Sequence, residues 1–192
     1  DTIPTTVVND SSANRTATST GQAESTDSTA ADRRAAEYVL SIGGIVTIKE
    51  NGQEQPIAAV GDRLRGAFEL TAVMLNSNRI VSDAGLAVFK DCKNLTQLDL
   101  QLTQVSNAGL ANFENCKKLI HLDLQQTKVT DAGLAYFEDC RDLKYLNLHL
   151  TKVTDSGLAH FKNFKDLTFL GLQATHATDA GLVYFKDSKN LT

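Results

Sequence analysis

From Glu69 onward, apolar residues return in a frame that repeats every 24 residues. Leu95, Leu98 and Leu100 are answered by Leu119, Leu122 and Leu124, then by Leu143, Leu146 and Leu148, and then by Leu167, Leu170 and Leu172. A looser first copy, Leu70, Val73 and Leu75, stands 25 residues ahead of its neighbour, the departure expected of a terminal unit. Within each frame leucines alternate with other residues, the period of a short strand with one buried face. The second half of the unit changes period. Leu110 and Phe113, Leu134 and Phe137, Leu158 and Phe161, and Leu182 and Phe185 lie three apart, which predicts a helix with one inward stripe. Ser106, Thr130, Thr154 and Thr178 stand where that helix would be capped; Asp131 suits its first turn, and Val129 can staple against Leu134.

A single strand–helix unit would leave its apolar face wet, and stacking the units buries it. The expected fold is therefore an α/β solenoid. Parallel strands about 4.8 Å apart line one surface and wider helices line the other, so the sheet should be concave and the helical side convex.

The L-x-x-L-x-L frame and the T-D-A-G-L helix starts resemble the leucine-rich-repeat family, in particular a bacterial type with cysteine near the end of the unit. The resemblance covers about residues 69–192, read as about five repeats with the last incomplete. Many members of that family carry Asn where this chain has Thr103, Thr127, Thr151 and Thr175, with Asn78 in the first unit, so a column of hydroxyls must satisfy the turn. The run from Ala36 to Gly44 is similar to segments that precede such repeats in bacterial proteins. The resemblance implies protein recognition as the activity. In relatives such arrays are also joined to kinase, ligase or receptor domains.

Ahead of the repeats, residues 31–68 read as a capping segment. Asp32 can cap a short helix from Arg33 to Leu40, and Gly43-Gly44 can stop it. Ile45 to Ile48 is β-branched and Asn51-Gly52 is a hairpin-turn signal, so a helix plus a hairpin is expected to shield the first repeat. Residues 1–30 hold eight Thr and five Ser with few large apolar side chains, the composition of a disordered tail or linker. Asn9-Asp10-Ser11 and Asn14-Arg15-Thr16 match the glycosylation triplet, a pattern that arises by chance in such sequence. The chain begins at Asp1 without a leader, which suggests a processed product or a fragment.

A formal net charge of -4 argues against a nucleic-acid partner, and no stretch of about 18 apolar residues predicts a membrane span. Cys92, Cys116 and Cys140 occupy one repeat position, continued by Phe164 and Ser188, and read as reduced core residues. Neighbouring repeats on the helical side should lie beyond the about 7 Å Cα limit of a disulfide. The usual metal, phosphate-loop and nucleophile motifs are missing, so no catalytic residue, metal or cofactor is assigned and the chain is not expected to be an enzyme.

The informative residues stand between the leucines, where they must point off the concave face. Gln97, His121, Tyr145 and Phe169 form one column; Asp99, Asp123 and Asn147 form a second; His149 belongs to a third with Gln101 and Gln125. Asp99 and Asp123 should be neighbours whose like charges ask for a basic group or a cation, or are simply solvated. His121, Asp123 and His149 admit a metal or acid–base reading, and Tyr145 beside Phe169 an interface anchor or local packing. These eight residues are the candidate binding surface for a protein or peptide. The competing function is a regulatory or substrate-recruiting segment of a larger enzyme such as a kinase or ligase. Lys189-Asn190-Leu191-Thr192 begins another unit, which makes the C-terminal end a candidate for self-association.

Overall fold

A computed structural model describes residues 20–59 and 64–191, with the backbone alone for 20–28. The elements are helix α1 (Thr20–Ser41), strands β1 (Ile45–Glu50) and β2 (Gln53–Ile57), and then the repeat strands β3 (Glu69–Met74), β4 (Gln97–Asp99), β5 (His121–Asp123), β6 (Tyr145–Asn147) and β7 (Phe169–Gly171). Short helices α2 (Asn107–Leu110), α3 (Asp131–Leu134), α4 (Asp155–Leu158) and α5 (Asp179–Leu182) follow β4 to β7. One sheet runs β2-β1-β3-β4-β5-β6-β7, parallel from β3 to β7. The solenoid expected from the 24-residue period is the observed fold.

The helical halves are less regular than the sequence suggests. Each of α2 to α5 lasts four residues and tightens at once into a 3₁₀ turn, Ala111–Phe113 after α2 and its equivalents later. The first repeat has a 3₁₀ helix only, Gly85–Phe89. Leu110, Phe113, Leu134, Phe137, Leu158 and Phe161 are nevertheless fully buried and join the strand leucines in one continuous core.

The caps form a chain between units. Thr154 accepts from Ser156 N–H while its own hydroxyl donates to Asp131 of the preceding unit at 2.6 Å, and Asp131 also accepts from Thr154 N–H at 2.8 Å. Asp155 holds Thr178 in the same way. Thr130 departs from the expected capping: it makes no side-chain cap bond, because the preceding unit supplies Asn107, whose amide donates to the Thr130 hydroxyl at 2.7 Å. In the turns, Thr103, Thr127, Thr151 and Thr175 each donate to the carbonyl three residues back at 2.6–2.7 Å, the role expected of the hydroxyl column. The thiols form a ladder that composition does not reveal. Cys116 Sγ donates to Cys92 O and Cys140 Sγ to Cys116 O, and Ser188 continues the pattern on Phe164 O. All three cysteines are free and buried.

The capping segment also differs in detail. β1 and β2 form the expected hairpin, turning at Asn51 (φ 51°) and Gly52 (φ 80°), and β1 then pairs antiparallel with β3, so the cap extends the sheet itself. α1 starts at Thr20, ahead of the boundary expected at residue 31, and Asp32 lies within it and caps nothing. Its buried carboxylate instead accepts from Leu70 N–H at 2.9 Å, a tertiary claim on the side chain that local sequence does not announce. Residues 1–19, most of the expected tail with both glycosylation triplets, lie outside the described residues.

Candidate binding surface on the open sheet face

The parallel register decides which candidate residues meet. Gln97, His121, Tyr145 and Phe169 are successive partners, as are Asp99, Asp123 and Asn147. Their strands bury Leu98, Leu122 and Leu146 on the helix side, which leaves the two columns on the other face.

In the first column three flat side chains stand one strand apart, near the contact distance of aromatic rings. His121 stacks on Tyr145 with centroids 4.0 Å apart and planes at 6°, and Tyr145 stacks on Phe169 at 4.4 Å and 7°. Sequence spacing indicated the Tyr145–Phe169 pair. The same column held His121, and only the folded structure shows its ring lying flat on Tyr145. The ladder ends at β4, where Gln97 occupies the next position.

The second column is more enclosed than expected. Asp123 and Asn147 are 5% and 6% exposed, so of the two carboxylates simple solvation does not describe Asp123. Each member turns one oxygen onto the backbone two residues on: Asp99 accepts from Gln101 N–H at 3.0 Å, Asp123 from Gln125 N–H at 2.9 Å, and Asn147 from His149 N–H at 3.2 Å. Asn147 Nδ2 also donates to Asp123 at 3.0 Å and to the Gln125 side chain at 3.1 Å, which brings Gln125 into the surface. Burial, with a smaller push from Asp123, raises the Asp99 carboxyl above its ordinary range. Burial holds the His121 imidazole below its ordinary value, against the pull of Asp123 and Asp99. His149 takes part through its backbone. Among the described residues no three or more His, Cys, Asp or Glu side chains are grouped to hold a metal.

Leu102 and Leu150 were not singled out by spacing. They follow Gln101 and His149, are 40% and 46% exposed, and sit at φ 57° and 56° in a turn column shared with Ser77, Gln126 and Ala174. That left-handed conformation carries the inter-repeat ladder through the turn, with Leu102 N–H donating to Gln125 O and Leu150 N–H to Gln173 O. Only a positive φ beside an exposed leucine marks them, and sequence alone does not display φ.

Among the described residues no helix is long and apolar enough to cross a membrane. No curated protein matches the chain in sequence. Solved structures similar to it include an internalin, InlF, from Listeria monocytogenes, at 21% identity over 64% of this chain and 34% of that one, with a TM-score of 0.49. Two others are the complex PEPR1-AtPEP1, at 17% identity over 62% of this chain and 19% of that one (TM-score 0.40), and the plant peptide hormone receptor RGFR1 in complex with RGF2, at 17% identity over 64% and 27% (TM-score 0.38). The chain spans about a third or less of each of these. The BspA type leucine rich repeat region matches residues 66–192 in six copies, and with the stacked strand–helix units above it places the chain in that leucine-rich-repeat family.

Proposed function

We propose that the chain is a protein-binding module which presents the sheet face opposite its helices, taken as the concave face of the solenoid, to a protein or peptide. The observation that carries this reading is the ring ladder His121–Tyr145–Phe169. Stacking of the repeats accounts for the leucines, the phenylalanines and the caps, but it asks for no aromatic residue on the outer face of the strands. Half-covered rings beside a polar row are the usual make-up of an interface anchor. Family membership supports a binding role in general, since repeat arrays of this kind serve mostly as recognition surfaces.

Selection of a random peptide library on the full chain tests the reading. Peptides so obtained should lose about thirtyfold in affinity when Tyr145 or Phe169 is replaced by alanine, the loss of an anchor worth about 2 kcal/mol. Lys162→Ala on the helical side should leave affinity unchanged. Peptides that ignore both aromatic substitutions and respond to Lys162→Ala would place the binding surface elsewhere.

A further inference from the structure

The oxygens of the second column serve the turn, and Asn147 does this without a charge. The negative charges of Asp99 and Asp123 are therefore surplus to the repeat. They stand directly in register on adjacent parallel strands, where like charges repel. Neither takes part in the ion pairs of the described residues, which join Lys117 and Arg141 to Asp139 and His160 to Glu138. The Asp123 carboxylate has Asn147 Nδ2 on its second oxygen, whereas the second oxygen of Asp99 meets only the Gln101 amide at 3.4 Å. His121, the titratable group whose pull both of them feel, is held toward its neutral form by burial and supplies little compensating charge at neutral pH.

Beside these carboxylates the ring ladder stops. Tyr145 covers one face of the His121 ring, and toward β4 the next position is Gln97, so the ladder has no fourth ring on that side. A planar cation fits both features at once. Guanidinium stacks on an aromatic face and donates in a fork to carboxylates, whereas the compact, strongly hydrated ammonium of lysine does the first poorly. Along the same margin Leu102 and Leu150 are exposed in a left-handed turn whose other members, Ser77, Gln126 and Ala174, show that the turn does not need bulk or apolarity.

We propose that the β4–β5 end of the open face receives an arginine side chain from a partner protein, with its guanidinium continuing the ladder over Gln97 against Asp99, in the field of the buried Asp123 carboxylate, and with apolar neighbours of that arginine resting on Leu102 and Leu150. This rests on the reading of the open face as the binding surface, and it commits that surface to a basic, apolar-flanked segment.

The test titrates the full chain, followed by NMR, with short peptides that differ only at a central residue set between two leucines: arginine, lysine, citrulline or glutamate. Citrulline keeps the shape of arginine and removes its charge. The arginine peptide should perturb Asp99, His121 and Tyr145 and bind about tenfold more tightly than the citrulline peptide, the scale of one charge-assisted hydrogen bond. Asp99→Asn should remove that preference while leaving the fold intact by thermal unfolding. Equal binding of the arginine and citrulline peptides at these residues would overturn the arginine site and leave the binding surface standing. Perturbations confined to the helical side, or none with any peptide at millimolar concentration, would overturn the site; the former would also remove the surface.

Discussion

At the scale of single residues, glycine and aspartate of successive units fit together. Gly157 lies under the Asp131 carboxylate that clasps Thr154, and a Cβ there would run into Asp131 Oδ1; Gly181 stands in the same relation to Asp155. Alanine ordinarily strengthens a helix relative to glycine. Here Gly157→Ala should cost about 1–3 kcal/mol, the scale of an overpacked core, in urea unfolding, and a gain in stability would disprove the clasp. Asp99 carries the opposite expectation. Its raised carboxyl means that folding favours the neutral form, so this contribution to stability is complete below the ordinary value of 3.8 and is lost as pH rises through the folded-state value. Asp99→Asn should match the wild type in acid and exceed it at neutral pH by on the order of 0.5 kcal/mol, as for a relieved cross-strand like-charge pair. A variant less stable than the wild type at pH 7 would show that the charge serves the fold after all.

At the scale of the repeat element, thiol and hydroxyl ladders hold units together where the helical side offers only short helices. The cysteines are buried, and burial pushes the Cys140 thiol up to about 12 and raises Cys92 and Cys116 as well. The thiolate is the reactive form, so these thiols should be inert while the repeats stay closed. Labelling with a thiol reagent at pH 8 should run about a thousandfold or more slower than in denaturant, since it requires opening of the core. Rapid labelling of all three in the native protein would contradict this packing. Exposed pairs such as Lys117–Asp139 contribute little by comparison.

At the scale of the whole chain, the two ends of the described repeats are unequal. At the start, α1 and the β1–β2 hairpin cover β3 with Ala35, Val39, Val46 and Ile48 buried. At the other end Leu170, Leu172, Ala177, Leu182 and Leu191 line an open hollow, Leu182 is 47% exposed, and the outer edge of β7 is unpaired among the described residues. An apolar margin beside a free strand edge favours association, so this chain should self-associate in sedimentation at high concentration, and Leu182→Lys should reduce it. A strictly monomeric wild type would remove the expectation.

The 24-residue frame by itself determined the solenoid, the parallel strands and the buried leucine and phenylalanine columns, because each repeat restates the period, and ahead of it the β-branched run with Asn51-Gly52 determined the hairpin, because turn chemistry is local. Asp99 beside Asp123 and Tyr145 beside Phe169 were legible for the same reason, since a fixed period fixes register. What only the tertiary structure decided depends on contacts between units or on backbone conformation. The Asp32 carboxylate is claimed by Leu70, Asn107 deprives Thr130 of its cap, His121 turns flat against Tyr145, and Leu102 and Leu150 take a positive φ to keep the ladder running. A repeat pattern states where side chains stand; which neighbour each one takes is settled by packing.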